Sequence, residues 1–177
     1  MDRSEVDKIQ SNDLRLDEVR SNQVAKTIKK AKGPFEYAMA AAIALEAEHP
    51  EVQYVQGFVV FAGSPPVEHA WIELESCRID PSLRFLKKTA EELFYFSAHH
   101  LTVEDLKETV EEAKEDYPED DPLPIYGKMP YEYYGDVMLG DKPYQDAYEA
   151  AKAKCREFDR PAGPVKRPTK QDQNPEE

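Results

Sequence analysis

The sequence predicts an α+β domain in which a central helix packs on a small antiparallel sheet, with a helical and loop extension after it. Three patterns predict this class. Residues 34–48 are rich in alanine with apolar residues at helical spacing, residues 54–80 carry β-branched and aromatic residues, and residues 144–158 return to helical spacing. A run of strands framed by helices is typical of an α+β fold.

Length and composition indicate one core domain with polar tails. The chain has 177 residues, of which 40% are hydrophobic, and this suffices for one buried core. Residues 160–177 lack the apolar residues that would offset the entropy of ordering them. We expect a weakly ordered N-terminal segment (1–21), a core (22–116), an acidic, proline-rich arm with a tyrosine-rich helical extension (117–159) and a disordered tail (160–177).

The first two helices are predicted from spacing and from the residues between them. Val24 and Ile28 recur at helical spacing before the corner that Gly33 and Pro34 form. Pro34 fits the first turn of the next helix, because its missing N–H would have no intrahelical partner there. The many alanines that follow make this helix slim, so we expect it to be central and buried against the sheet.

Two strands follow the alanine-rich helix. Tyrosine, valine and phenylalanine fill residues 54–62, and a Gly-Ser-Pro-Pro turn follows. Residues 67–74 then alternate, so that His69 and Trp71 share one face of the strand. Both faces of this strand carry apolar residues, and we expect both to be partly covered.

A hairpin returns the chain beside His69. Glu75 and Ser76 form a plausible two-residue turn into a short strand over residues 77–80, and Pro81 closes that strand because it cannot donate to a ladder. Pairing across this turn is expected to place Asp80 near His69.

The C-terminal third combines a helix, a loop and an aromatic stripe. Thr102 opens a Thr-x-x-Asp helix start, and the acidic residues and prolines of residues 117–130 preclude regular structure. Tyr144 and Ala147 begin a stripe at helical spacing, for which packing in the core is the favoured use over a binding face.

Charge and cysteine content exclude several functions. Asp and Glu number 36 against 23 Lys and Arg, for a net charge of -13, which repels phosphate and argues against nucleic acid or an anionic membrane. Among partners, a protein with a basic surface fits this charge best, but the favoured use of the charge is to keep a small domain in solution. Two cysteines make neither a disulfide framework nor a zinc spacing, and no signal peptide or membrane span is apparent, so we expect a cytoplasmic protein without metal or cofactor.

A histidine beside an aspartate is an arrangement for nucleophilic catalysis. The carboxylate of Asp80 would fix the tautomer of His69 and leave its other ring nitrogen to activate a thiol. The thiol would lie best at a helix N-terminus, where the dipole favours thiolate. The sequence places Pro34 at that point, followed by Phe35.

The order of these elements resembles the papain-like and transglutaminase-like cysteine hydrolase fold. More narrowly, it is similar to small bacterial and phage proteins that have a cysteine-led helix and then "YVEGYA", "HAW" and "IDPT" strands. The matching segments here are Tyr54-Val55-Gln56-Gly57-Phe58, Val67-Glu68-His69-Ala70-Trp71 and Ile79-Asp80-Pro81-Ser82. The resemblance spans residues 33–113 and implies a papain-like core over residues 22–116.

The chain departs from this family at the nucleophile. The family cysteine aligns with Pro34, and an asparagine three residues later falls on Tyr37. Proline carries no nucleophile, so the resemblance implies a pseudoenzyme that keeps a vestigial dyad of His69 and Asp80 and acts through protein contact. Its binding residues would be Pro34, Phe35, Tyr37 and Trp71.

Two other interpretations stay open from the sequence. His69 and Asp80 form a structural pair in the core, or the chain is an active cysteine hydrolase or acyltransferase with Cys77 or Cys155 as an unconventional nucleophile. Strand alternation places Cys77 on the face opposite to Asp80, and Cys155 lies late in its helix, where the dipole raises a thiol pKa. Both positions count against the enzyme.

Overall fold

The computed structural model describes residues 14–125, 132–134, 137–139 and 141–159. The described part is an α+β fold with a five-stranded sheet and helices, as the sequence predicts. The strands are β1 (Arg15–Leu16), β2 (Gln53–Val60), β3 (Val67–Leu74), β4 (Cys77–Ile79), β5 (Phe94–Thr102), β6 (Glu132–Tyr134) and β7 (Val137–Leu139). The helices are α1 (Glu18–Thr27), α2 (Pro34–Leu45), α3 (Leu83–Leu86), α4 (Val103–Asp116) and α5 (Lys142–Asp159), with a 3-10 turn at Ala90–Glu92.

The main sheet has the strand order β1-β4-β3-β2-β5. Strands β4, β3, β2 and β5 pair antiparallel with one another in that order, and the short β1 pairs with β4 in parallel. Leu74 lies opposite Cys77, so Glu75 and Ser76 form the predicted two-residue turn. Glu75 adopts a positive φ of 57° in this turn. A separate pair, β6 and β7, forms a small hairpin.

The sheet is irregular where β2 meets β5. The register shifts between Gln56 and Gly57, so that β5 carries one extra residue there. A Cβ atom on Gly57 would overlap with the backbone carbonyl of Phe96. Glycine is therefore required by the close approach of two strands.

The two faces of the sheet have different covers. One face, here called the helical face, packs Ala70 and Ile72 against α2, and Phe58 against Tyr144 and Ala147 of α5. The opposite face, here called the Trp71 face, is covered by α3 and by Leu93, which follows the 3-10 turn. Its buried apolar residues are Val55, Val59, Trp71, Leu83, Leu93 and Tyr95. Alternation along β3 places His69 on the Trp71 face together with Trp71.

The arm that follows α4 is held by two buried apolar side chains and by the buried amide of Gln56. Leu123 and Ile125 enter the core of the helical face. The Gln56 amide accepts from the Ile125 N–H at 2.9 Å, and its Nε2 donates to the Ile125 carbonyl at 2.6 Å. The same amide also bonds the hydroxyls of Tyr54 and Tyr144. This irregular segment therefore has a defined position despite its prolines.

Several predicted features are confirmed in the described residues. The Thr102 hydroxyl accepts from the Asp105 N–H at 3.1 Å and caps α4. Tyr144, Ala147 and Ala151 are buried, so the aromatic stripe of α5 belongs to the core. No helix among the residues that the structure describes is long and apolar enough to cross a membrane.

The N-terminal prediction needs a correction. Residues 14–21, expected to be weakly ordered, contain β1 and the first turn of α1. The Asp17 side chain accepts from the Arg20 N–H at 2.9 Å, and this cap starts α1 four residues earlier than the apolar spacing indicates. Residues 1–13 and the tail predicted over 160–177 lie outside the described residues.

Candidate functional site

The site begins with a buried contact between an imidazole and a carboxyl group. His69 Nε2 lies 2.7 Å from Asp80 Oδ2. His69 is 2% exposed and Asp80 is fully buried. β3 supplies the histidine, and the aspartate follows directly after β4, so the hairpin brings the two together as the sequence predicts.

Every carboxylate oxygen of Asp80 has further donors. The Tyr95 hydroxyl donates to Oδ2 at 2.8 Å, and both the N–H and the hydroxyl of Ser82 donate to Oδ1 at 3.0 Å. On the backbone, the Asp80 N–H donates to Ser21 Oγ at 2.9 Å. A buried charge needs such a complete set of partners, and Asp80 has it.

The surroundings shift the pKa of the acidic groups in opposite directions. Burial alone would raise the pKa of Asp80, but the charge of His69 and the hydrogen bonds from His69, Tyr95 and Ser82 hold it below its ordinary value. Burial, and after it the neighbouring Asp80 carboxylate, raises the pKa of Tyr95. The network therefore keeps Asp80 ionised and Tyr95 protonated as a donor.

Aromatic rings and one cation surround the pair. Trp71 and Tyr95 meet edge to face with ring centroids 4.9 Å apart. The guanidinium of Arg78 lies 4.5 Å from the centroid of Tyr95 and 5.7 Å from that of Trp71. The Trp71 indole N–H donates to Glu73 at 3.2 Å. Trp71, predicted from the sequence as a binding residue, is fully buried and packs in the core of the Trp71 face.

The expected convergence with the tip of α2 is wrong. α2 packs on Ala70 and Ile72, which occupy the helical face, whereas His69 lies on the opposite face of the same strand. In the described part of the chain, no hydrogen bond or ring contact joins the start of α2 to His69 or Asp80. Strand alternation is the physical reason, because neighbouring residues of β3 point to opposite sides.

The predicted residues of the α2 tip have other neighbours. Phe35 packs at the edge of the helical-face core. The Tyr37 hydroxyl accepts from Arg84 Nη2 at 3.3 Å, and its ring lies 5.6 Å from that of Phe85. Pro34 occupies the first turn of α2 after Gly33, as predicted. Whether any of these residues binds a partner stays a prediction.

Neither cysteine sulfur accompanies the pair. Cys77 pairs with Leu74 across the β3–β4 turn, and alternation turns it away from Arg78 and the Trp71 face. Cys155 packs beside the core of the helical face, and its Sγ donates to the Ser64 carbonyl at 3.5 Å. Burial, followed by the charge of Asp159, raises the pKa of the Cys155 thiol. A raised pKa disfavours the thiolate, which is the nucleophilic form.

The Ser82 hydroxyl lies 3.5 Å from His69 Nε2. In a serine hydrolase the aspartate orients the ring through one nitrogen, and the other nitrogen takes the proton of the serine hydroxyl. Here Ser82 approaches the nitrogen that Asp80 already occupies, and its hydroxyl donates to Asp80. This geometry does not activate Ser82.

Sequence reasoning missed three members of this network: Ser21, Ser82 and Tyr95. Ser82 was within reach, because it ends the Ile79-Asp80-Pro81-Ser82 segment. Tyr95 carries a weaker signal, since it is one of three consecutive aromatic residues. Ser21 has none, because its contact with Asp80 spans 59 positions and depends on where α1 docks.

The other histidines form separate contacts. His99 and His100 point to opposite faces of β5: His99 Nε2 lies 3.3 Å from Asp141, and His100 Nε2 lies 3.2 Å from Glu73. Within the described residues, ligand atoms of His49, Glu51 and Glu75 lie within 4.8 Å of one another. These side chains lie at the surface, where carboxylates commonly meet without an ion, so we infer no metal site from them.

No family model, curated protein or solved structure matches the chain. The likeness to the papain-like fold therefore depends on the segments quoted above and on the order of the elements.

Proposed function

We propose that this chain is a catalytically inactive protein of the papain-like fold that works by binding another protein. One observation carries the proposal. The His69–Asp80 contact is buried and complete, with its donors supplied by hydroxyl groups and without a sulfur atom. The dyad then serves as a structural pair inside a retained fold.

The order of the elements supports the papain-like assignment. A helix that begins at Pro34 precedes the histidine strand, and the aspartate strand follows across a tight turn. The helix nevertheless packs on the face opposite to His69, so a cysteine introduced at position 34 would not restore a dyad with His69. This packing counts against an enzyme that lost only its nucleophile from an otherwise intact site.

The surface most suited to a protein partner is the outer side of α4. Val103, Leu106 and Val110 turn inward. The outer side and the turn after it expose ten carboxylates against two lysines, Lys107 and Lys114. The carboxylates belong to Glu104, Asp105, Glu108, Glu111, Glu112, Glu115, Asp116, Glu119, Asp120 and Asp121. A partner with a basic surface complements this charge and is attracted at long range.

The absence of thiol catalysis is tested by alkylation with iodoacetamide at neutral pH. We expect Cys77 and Cys155 of the full chain to react no faster than glutathione, and neither rate to fall in His69→Ala. Mass spectrometry of each cysteine peptide gives the two rates separately. A cysteine that reacts about a hundredfold faster than glutathione, and slows in His69→Ala, would overturn the proposal.

The binding role is tested by quantitative capture with two variants of equal charge. Glu104, Glu108, Glu111 and Glu115 are changed to Gln in the first, and Glu48, Glu51, Glu75 and Glu149 in the matched control. We expect a partner that wild type and control both retain and the first variant loses, with retention falling as salt rises. Equal retention by both variants would exclude α4 as the binding surface.

A further inference from the structure

A groove runs between the two ends of the main sheet. Its cavity volume is about 1110 Å³, and we call it the edge groove. One wall comes from β1 and the start of α1, and the other comes from the 3-10 turn and the start of β5. Among the described strands β1 pairs only with β4, and β5 pairs only with β2, so both walls present strand edges.

The edge groove contains aromatic and apolar surface. Phe94, Tyr95 and Phe96 line it from β5, with Phe94 half-buried and the other two buried, and Val19, which is 67% exposed, lines it from α1. A smaller cavity of about 220 Å³ adjoins it and shares Phe94 and Glu91. Phe158, which is 38% exposed, lines that second cavity. Exposed apolar residues in a concave surface mark a place where another segment gains by docking.

One carboxylate of the edge groove has no partner among the described residues. Asp17 caps α1, Glu18 accepts from the Ala90 N–H at 2.8 Å, and Glu157 pairs with Lys154 at 2.9 Å. Glu91 makes no hydrogen bond or ion pair in the part of the chain that the structure describes. Arg15 and Arg78 also line the groove, and Arg78 is engaged with the rings of Tyr95 and Trp71.

The chain leaves α5 beside this groove. Lys154 and Glu157 line the edge groove, Phe158 lines the smaller cavity, and α5 ends at Asp159. The next eleven residues read RPAGPVKRPTK, with four basic residues, three prolines and no acid. In a chain of net charge -13, this segment is locally opposite in sign to the rest.

We propose that the edge groove binds residues 160–170 of the same chain. Proline-rich segments favour an extended form and dock on aromatic grooves at low cost in entropy. The basic side chains of the segment complement Glu91, the groove carboxylate without a partner among the described residues, whereas the groove's own cations are Arg15, Arg78 and Lys154. Because the segment is attached at Asp159, its effective concentration at the groove is in the millimolar range, so even weak contacts are enough to keep it bound. The segment thereby covers both strand edges and Cys77.

Zero-length cross-linking of the full chain tests this contact. A carbodiimide condenses a carboxyl group with a lysine amine into an amide, and the carbodiimide leaves as a urea. We expect amides from Glu91 to Lys166 or Lys170, whereas the carboxylates of α4 give none with these lysines. An equal mixture of ¹⁵N-labelled and unlabelled chains separates contacts within one chain from contacts between two copies.

The outcomes decide the proposal. Glu91 amides that carry a single isotope label support it. Amides that join a labelled to an unlabelled chain would identify a second copy as the occupant and overturn the proposal. Amides spread evenly over α4 and the groove, or no amide to Glu91, would show that residues 160–170 do not select this groove.

Cysteine protection gives a second readout. Cys77 lines the edge groove, whereas Cys155 lies against Ser64 and serves as the internal control. In a variant with Arg160, Lys166, Arg167 and Lys170 changed to Gln, we expect Cys77 to be alkylated about five- to tenfold faster, the gain from opening a site that is covered about 80–90% of the time. The alkylation rate of Cys155 should be unchanged.

The control variant changes Asp172, Glu176 and Glu177 to their amides and should leave both alkylation rates as in wild type. A rate for Cys77 that does not respond to the basic residues would contradict the proposal.

Discussion

At the scale of single residues, Asp80 holds the Trp71 face together. It connects β3 through His69, β5 through Tyr95, and α1 through its own N–H to Ser21. Each of these bonds joins segments that are distant in sequence. Since the carboxylate is fully buried, no water replaces a partner that is lost.

Asp80→Asn is expected to lower the free energy of unfolding by about 3–5 kcal/mol, the cost of removing one partner of a buried pair. The amide NH₂ would also face hydroxyl donors. Urea unfolding measures the change, and Asp120→Asn at the exposed turn is the control, with a change of about 0.5 kcal/mol or less. A loss under about 1 kcal/mol in Asp80→Asn would show that the pair does not support the fold.

The same variant gives a test of pH dependence. The pKa of Asp80 is lower in the folded protein than in the unfolded chain, so its contribution is complete above the unfolded value of about 4. It is lost as the pH falls through the lower, folded value. Between about pH 5 and pH 2, roughly the range of that loss, the wild type should lose more stability than Asp80→Asn. Parallel curves would contradict the direction of the shift.

At this scale the sequence is informative where rules are local. Alternation and a two-residue turn are enough to place Asp80 beside His69. Tyr95 and Ser21 are not predictable, because their contacts depend on the order of strands in the sheet and on the docking of α1. Those are properties of the folded whole, which single residues do not encode.

At the scale of elements, the junction of β2 and β5 sets the shape of the sheet. The register shift at Gln56 and Gly57 lets His99 turn to the helical face and His100 to the Trp71 face. The bulge sets which face each of these histidines takes, whereas strand alternation alone separates them. It also allows the Phe96 carbonyl to approach Gly57 without a side chain between them.

Gly57→Ala is expected to destabilise the fold by about 3 kcal/mol or more, since its Cβ meets backbone that cannot move aside cheaply. Gly63→Ala is the matched control. Gly63 has a φ of 82°, but no atom of the described residues lies within 4 Å of the place that a Cβ would take, so only the backbone cost of about 1 kcal/mol applies. Thermal unfolding of both proteins compares them. Equal losses would mean that the close approach at Gly57 relaxes freely.

The longer helices and the strands β2, β3 and β4 are predictable, whereas β1, β5, α3 and the packing of the elements are not. β3 carries apolar residues on both faces, so its pattern does not say which face α2 covers. The sequence favours contact between α2 and His69, and in the structure α2 meets Ala70 and Ile72. The start of α1 escapes prediction because the cap of Asp17 and the pairing of β1 with β4 lie outside the apolar spacing.

At the scale of the whole molecule, the net charge of -13 opposes compaction. We expect the melting temperature to rise by about 2–4 °C, which is about 1 kcal/mol for a chain of this size, when NaCl is raised from about 20 to 300 mM. Differential scanning calorimetry measures the change. The variant with four α4 glutamates changed to Gln should respond less. A melting temperature that falls with salt would show that attractive pairs outweigh the repulsion.

The bulge between β2 and β5 has a consequence for aggregation at high protein concentration. β5 is a nine-residue strand with an outer side that pairs with no other described strand of the main sheet. A straight, flat strand of that kind is a template on which further molecules stack into fibrils. The extra residue interrupts the even spacing of its outward N–H and C=O groups, so a neighbouring molecule finds no continuous ladder to extend.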